Sequence, residues 1–151
     1  MIKTETEYKA MVQRLKSDLD YMRQQEKILQ DMGLSEEEVC RAMEPSMSFH
    51  EQLKEEVEYY ERIKRFDFEA LENFSDFGRF LIALRIALGL TQSDLAKRLS
   101  VSEAQISRDE KNEYHGISVE KAGRVLEALG VTVVSKLGRI PKKEGRVPNL
   151  V

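Results

Sequence analysis

The 151-residue chain has one cysteine, two histidines, three prolines and no tryptophan. Because Cys40 has no second cysteine with which to form an internal disulfide, the sequence favours a cytoplasmic location. No apolar stretch approaches the length of a membrane span, and the amino terminus lacks the basic and apolar regions of a signal peptide. We therefore expect neither secretion nor membrane insertion.

The same shortages argue against an enzyme. His50 and His115 lie far apart in the sequence, and neither stands at a metal-ligand spacing from Cys40. The sequence has no glycine-rich phosphate-binding loop and no nucleophile motif. Acidic residues are numerous, but on charged helices they are solvated by default. We expect no catalytic site, no metal and no cofactor.

Charged residues make up 34% of the chain, and their helical spacing together with the scarcity of proline predicts an all-α fold. Residues 1–75 carry 11 Lys and Arg against 18 Asp and Glu, a balance of -7, whereas residues 76–151 carry 13 against 9, a balance of +4. This polarity indicates a carboxy-terminal part that can approach phosphate and an amino-terminal part that could meet a basic protein. Acidic helices that are merely soluble would have the same composition.

Residues 90–110 predict two short helices joined by a four-residue turn. Thr91 and Ser102 each begin a capping box, which marks the two helix starts. Ala96 is small enough to let the second helix approach the first, and Ile106 is the apolar residue that anchors it there. This arrangement is a helix-turn-helix, so double-stranded DNA is the first partner to consider.

The segment resembles helix-turn-helix regulators of the phage repressor and Cro type over about residues 76–130, in its Leu-Thr-Gln-x-x-Leu-Ala, its Val-Ser turn and its Ile-Ser-Arg-x-Glu. It departs from that pattern at Ser100, where the turn usually carries glycine, and at Asp109, which is more often apolar. The resemblance implies that Arg85 on the preceding helix pairs with Glu110 and fixes the angle of the recognition helix. It also implies the set of DNA-contacting residues, namely Thr91, Gln92, Ser102, Glu103, Ala104, Gln105, Ser107, Arg108 and Lys111.

The roles implied for these residues fit their chemistry. Arg108 can fork to guanine, Gln105 can bridge adenine and Ala104 can touch a thymine methyl. Glu103 must accept from a cytosine amine or swing aside. The residues expected at or near the DNA backbone are Gln92, Ser107 and Lys111. Because one recognition helix reads only a few base pairs, we expect a homodimer on a palindromic operator.

Residues 1–65 predict a helical extension. Thr4 caps a first long helix that ends at Gly33, and a short helix is expected from Ser35 to Pro45, followed by another from Ser48. Two apolar stripes run along the long helices, formed by Tyr8, Val12, Leu15, Leu19 and Met22 and by Phe49, Leu53, Val57 and Tyr60. These stripes can bury each other as an antiparallel hairpin, which is the default expectation, or bind a partner.

Residues 76–137 are expected to form the DNA-binding domain, with about five helices. Residues 66–75 are too apolar for a free linker, so this connector should pack on the first helix of the domain. Two helices of the domain are predicted from Asp76 to Leu88 and from Ser118 to Leu129. Their expected buried residues are Phe77, Phe80, Leu81, Leu84, Leu88, Val119, Ala122, Val125, Leu126 and Leu129.

Two features are expected at the carboxy terminus. Residues 131–137 are rich in β-branched residues, so they predict a short strand that pairs across a two-fold axis, or else an extended segment. Residues 138–151 are expected to be a basic flexible tail that adds nonspecific phosphate contacts.

The acidic extension, together with the run ISRDEKNEYHGISVEKAGRVLEALG, resembles bacterial antitoxins of the HigA type. That resemblance implies a protein that neutralises a small basic toxin and represses the promoter of the pair. Two alternatives remain open. The first is a stand-alone phage or metabolic repressor whose extension serves dimerisation or an effector, and the second is a non-catalytic adaptor for protein contacts.

Overall fold

The computed structural model describes residues 1–139, and six α-helices lie in that range. The helices are α1 Glu5–Asp31, α2 Glu36–Lys64, α3 Phe77–Ala87, α4 Gln92–Leu99, α5 Glu103–Lys111 and α6 Val119–Leu129. The described residues contain no strand, so the fold is all-α. A search of the same residues finds no helix with the length and apolar character needed to cross a membrane.

The first two helices form an antiparallel hairpin. Capping boxes begin both helices, at Thr4 for α1 and at Ser35 for α2. Near the open end of the hairpin the ring of Tyr8 stacks on that of Tyr60, with 4.8 Å between centroids. The two apolar stripes therefore face each other within one chain, although Phe49 and Leu19 remain 47% and 43% exposed.

The expected break near Pro45 is wrong, because α2 runs through this residue as one helix of 29 residues. Pro45 cannot donate the hydrogen bond of an interior helical residue, which normally costs a helix about 3 kcal/mol. On either side of it, Met43 and Leu53 are buried on the inner face of α2. Packing against α1 on both sides of the proline favours one continuous helix over the two separate helices that Pro45 and Ser48 predicted.

One apolar core joins the extension to the carboxy-terminal helices. Its members are Ile2, Val57, Tyr60, Ile63, Leu81, Ile82, Ala83, Leu84, Ile86, Leu95, Ala96, Ile106, Tyr114, Ala122, Val125 and Leu129. Helix α3 lies at its centre, since α2, α5 and α6 all pack against it. The carboxy-terminal end of α2 therefore completes the core of the second half of the chain.

The connector packs on α3 only in part. The ring of Phe68 meets Phe80 edge-on at 5.7 Å, and Phe74 meets Phe77 at 5.8 Å. Phe66, however, is 59% exposed and Phe74 is 64% exposed. Two aromatic residues of the connector thus present most of their surface to solvent.

Other expectations for the second half of the chain need correction. Leu88 and Val119 were expected to be buried, yet both are exposed, because one follows the last residue of α3 and the other is the first residue of α6. The structure has four helices between residues 77 and 129, where about five were expected. For residues 131–137 the sequence left a strand or an extended segment open, and the described chain has no strand there. Most of the expected basic tail, residues 140–151, lies outside the described residues.

Candidate nucleic-acid interface

Helices α4 and α5 begin at capped residues. The Thr91 hydroxyl accepts from the backbone N–H of Asp94 at 3.0 Å, and the Asp94 carboxylate accepts in return from the Thr91 backbone N–H at 2.9 Å. These hydrogen bonds from Thr91 lower the pKa of Asp94. At α5 the Ser102 hydroxyl accepts from the backbone N–H of Gln105 at 3.2 Å, but no reciprocal bond completes the predicted box. The caps set where each helix starts.

The turn between α4 and α5 brings the two helices together. Ser100 adopts a left-handed conformation, with φ at 56°, and ends α4. Ala96 and Leu95 on α4 and Ile106 on α5 are all buried in the common core. A small side chain at residue 96 lets Ile106 anchor α5 at close range, as the sequence pattern indicated.

A buried ion pair holds α5 to α3. The Arg85 guanidinium donates to both carboxylate oxygens of Glu110, from Nε at 2.5 Å and from Nη2 at 2.6 Å. Its Nη1 donates to the Leu90 carbonyl at 2.8 Å. Both charged side chains are almost fully buried, so each depends on the other for neutralisation. This geometry fixes the orientation of α5 relative to α3.

The outward face of α5 consists of exposed side chains in helical register. They are Glu103, Ala104, Ser107, Arg108 and Lys111. The opposite face holds the buried Ile106 and Glu110. The inner face of α5 is therefore fixed and its outer face is free. Of α4 and α5, only α5 presents polar side chains away from the core along its whole length.

Gln105 lies at the border between the outer face of α5 and the core. Its side chain is half-buried and lines a groove between α5 and α6, together with Asp109 and Lys121. Lys121 Nζ donates to Asp109 at 2.8 Å across this groove, so the charge at Asp109 is paired where the sequence pattern usually has an apolar residue. Gln105 shares its face of α5 with Asp109, four residues later, and both residues line this groove.

Gln92 is also engaged inside the protein. Its amide Nε2 donates to Glu110 Oε2 at 2.8 Å, which adds it to the buried ion pair. The sequence prediction assigned Gln92 to a phosphate. In the described structure its side chain donates to Glu110, and its phosphate contact stays a prediction. The exposed Thr91 and Ser102 use their hydroxyls in the helix caps.

The exposed cations of α5 retain free donors. The Nε of Arg108 donates to the carbonyl of Ala104, one turn earlier, at 3.2 Å. This bond holds the Arg108 side chain along the outer face of α5. The two terminal nitrogens of its guanidinium group, Nη1 and Nη2, take no part in the bond. Lys111 and Ser107 lie on the same face. The outer face thus combines two cations with Ala104 and Glu103.

Several residues predicted to bind a partner are used inside the hairpin. Leu53, Val57 and Tyr60 are buried, so they have no surface to offer while the hairpin is folded. The stripe of α1 is half-buried at Tyr8, Val12, Leu15 and Met22. The apolar side chains that remain exposed on the hairpin are Ile28 and Met32 near the turn between the helices, and Leu19, Tyr21, Met47 and Phe49 nearer the middle of the two helices.

Sequence analysis missed Lys3. Its ammonium donates to the backbone carbonyl of Glu110 at 2.6 Å, and its own carbonyl accepts from Arg85 Nη2 at 3.0 Å. No local pattern indicates this contact, because 107 positions separate Lys3 from Glu110. Across residues 1–139, no cluster of three His, Cys, Asp or Glu side chains has the geometry of a metal site.

Residues 81–135 match the family model of helix-turn-helix domains. The matched range runs from the middle of α3 through α4, α5 and α6, and so includes the capped helices, the turn and the buried ion pair. Comparison with curated proteins and with solved structures finds no match. The sequence pattern, the geometry and the family match agree over the same residues. Residues 81–135 form a helix-turn-helix domain.

Proposed function

We propose that the protein is a transcriptional repressor that binds double-stranded DNA in a sequence-specific manner. The observation that carries this proposal is the outer face of α5, which is exposed along its length while the inner face is fixed by Ile106 and the Arg85–Glu110 pair. A helix of this size fits the major groove of B-form DNA. The +4 charge of residues 76–151 favours approach to phosphate.

The residues on the outer face suit base recognition. Arg108 can donate to guanine O6 and N7, Ala104 can contact a thymine methyl, and Glu103 can accept from a cytosine amine. Lys111 and Ser107 would lie nearer the DNA backbone. We leave Gln105 out of this reading set, because its side chain is half-buried in the groove between α5 and α6.

The test begins with selection of bound sequences from a random DNA pool by the full chain. Arg108→Ala should then cost about 1–3 kcal/mol on the selected site and relax the preference at one position of each half-site. Lys111→Ala should weaken selected and random DNA by the same factor, since a phosphate contact carries no sequence information. Arg124→Ala on the exposed surface of α6 is the matched control. Failure to select any sequence would refute the proposal.

A homodimer fits this function, because two recognition helices are needed to cover a palindromic operator. Exposed apolar side chains cluster around the start of α6 and the segment after it, namely Phe74, Val119, Val133, Val134 and Leu137. Phe74, Val119 and Val133 line one groove of about 690 Å³. We propose that a second copy covers this surface, since residues 131–137 lie outside any helix and are rich in β-branched residues suited to pairing with a second copy.

Sedimentation of the full chain tests the dimer. Val119→Asp places a charge on the 90%-exposed side chain, so it should shift a dimer to monomer without changing the thermal unfolding of the monomer. Glu120→Lys, at an exposed neighbouring position, serves as the charge-changing control. A wild-type chain that stays monomeric on its selected operator would refute this assignment.

A more specific function is the antitoxin of a toxin–antitoxin pair. The hairpin supports it, because the -7 charge of residues 1–75 is combined with exposed apolar side chains on the hairpin, including Ile28 and Met32 near the interhelical turn. Such a surface suits a small basic protein. In this arrangement the partner binds the far end of the hairpin, away from α5.

Co-expression with a short basic protein encoded next to the gene tests the antitoxin function. The double variant Ile28→Lys and Met32→Lys should abolish neutralisation and leave DNA binding intact. Gln24→Lys, exposed on the same helix, is the control for added positive charge. Normal neutralisation by the double variant, or a neighbour that is not toxic, would favour a stand-alone repressor or an adaptor.

A further inference from the structure

The residues that precede α1 pack into the helix-turn-helix domain. Ile2 is 3% exposed and belongs to the common core. The next residue, Lys3, exchanges two hydrogen bonds with the domain, one to the carbonyl of Glu110 and one from Arg85. The start of the chain is therefore attached to the same ion pair that orients α5.

The ammonium group of Lys3 keeps part of its donor capacity. Its described hydrogen bond goes to a neutral carbonyl, and the nearby carboxylate of Glu110 is already matched by Arg85. A lysine has three N–H donors. Because Lys3 is only half-buried, the remaining donors can reach solvent or a ligand.

Lys3 lines a groove with the first residues of both helices of the motif. The polar residues that line the groove include Lys3, Thr4, Glu5, Thr6, Lys64, Thr91, Gln92 and Glu103. Thr91 and Gln92 begin α4, and Glu103 begins α5. If α5 lies in the major groove of DNA, we expect the protein groove lined by Lys3 to face the adjacent phosphate backbone.

We propose that Lys3 binds a DNA phosphate, so that the amino-terminal extension supplies part of the DNA interface. The inference rests on the proposed DNA-binding function. A phosphate oxygen would accept from the Lys3 ammonium beside the start of α4, where backbone N–H groups also favour an anion. Lys3 and Gln92 line the same groove, and the Gln92 amide donates to Glu110.

Two carboxylates limit the strength of this contact. Glu103 lines the groove, and so does Glu5, whose carboxylate lies 4.0 Å from Lys64 Nζ. The groove therefore has no broad positive field. Lys64 also lines the groove, but its ammonium lies beside Glu5, so Lys3 is the cation whose contribution to phosphate binding we test.

The experiment measures how DNA affinity depends on salt, with the full chain and a mixed-sequence duplex. Each phosphate contact contributes about 0.9 to the magnitude of the slope when the logarithm of the binding constant is plotted against the logarithm of the salt concentration. Lys3→Gln should therefore reduce that magnitude by about 0.9 and lower the affinity about eightfold at 0.1 M salt. Lys3→Arg should restore both values. Lys16→Gln, which removes an exposed lysine from α1, is the control and should change neither.

The slope separates a phosphate contact from a structural role. If Lys3 only supports Glu110, Lys3→Gln will reduce thermal stability and leave the slope unchanged, which would overturn the proposal. Glu5→Gln gives a second test that keeps a hydrogen-bond acceptor for Tyr60. It should tighten binding about twofold to threefold by removing repulsion, and unchanged affinity would place phosphate away from this groove. A wild-type chain that binds no DNA would overturn the proposed function itself.

Discussion

The helix-turn-helix domain and the hairpin bury their helices to different depths. Six consecutive residues of α3, Leu81–Ile86, are buried, because α2, α5 and α6 surround this helix. Helix α1 is more than twice as long and has no fully buried residue, because α2 alone covers it along its length. A helix enclosed on several sides is fixed in position. A helix covered on one side keeps most of its surface for other contacts.

The largest expected effect is at the buried ion pair of the domain. Glu110→Ala leaves the Arg85 guanidinium buried without a partner, which should lower the free energy of unfolding by about 3–5 kcal/mol. Urea denaturation measures it. Glu113→Ala, at an exposed carboxylate 3.8 Å from Arg79, is the control and should cost no more than about 1 kcal/mol. Similar losses in the two variants would mean that Arg85 finds another neutralising group.

A pair of leucine variants compares the two regions directly. Leu81→Ala in α3 removes a side chain that is 1% exposed and should cost about 2–5 kcal/mol. Leu15→Ala on half-buried α1 should cost about 1 kcal/mol, because the site can relax toward solvent. Equal losses in urea denaturation would contradict the difference in depth between the two helices.

Alkaline pH should weaken the junction between the two regions. Burial, reinforced by the hydrogen bond to Glu5, raises the pKa of Tyr60 from 10.0 to about 12. The folded chain thus holds this proton more tightly than the unfolded chain does. Below pH 10 this contribution to the free energy of unfolding is fully present. From pH 10 upward it falls by about 1.4 kcal/mol per pH unit, and it is lost as the pH rises through 12.

Denaturation of Tyr60→Phe between pH 9 and about 11.5 tests this titration. The variant should show a flatter decline than the wild type. A decline remains in the variant, because burial also raises the pKa of Tyr114. An unchanged pH profile would show that Tyr60 does not contribute to the alkaline transition.

The smallest expected effect has the opposite sign. Ser100 ends α4 with a φ of 56°, a conformation that glycine adopts without the strain of a β-carbon. Ser100→Gly should stabilise the domain by about 0.5–1 kcal/mol. Ser102→Ala, which removes the cap of α5, should instead destabilise it by about 1 kcal/mol. A loss of thermal stability in Ser100→Gly would show that the serine side chain has a role of its own at the turn.

The sequence predicted the helix starts well, because capping is local. Thr4, Ser35, Thr91 and Ser118 all begin helices where the capping pattern places them. Pro45 misled the prediction, because the rule that proline ends a helix is also local, and here packing with α1 prevails over it. Local signals thus predict boundaries and miss the cases in which tertiary contacts decide.

The candidate interface was predictable in outline only. Exposure of Arg108 and Ala104 follows from helical periodicity once Ile106 is known to be the anchor. The engagement of Gln92 with Glu110 depends on the distance between two helices, which periodicity does not give. Lys3 was beyond prediction, because the fold brings it to Glu110 from the other end of the described chain.

Gly78, in the first turn of α3, has a consequence for mutational tolerance. A β-carbon there would overlap the carbonyl oxygen of Glu113, in the loop that follows α5. The loop therefore packs directly against the backbone of Gly78, and any other amino acid at this position would displace the loop. In a saturation library of this chain, position 78 should accept glycine alone, whereas Gly123 in α6, with open space around it, should accept many replacements.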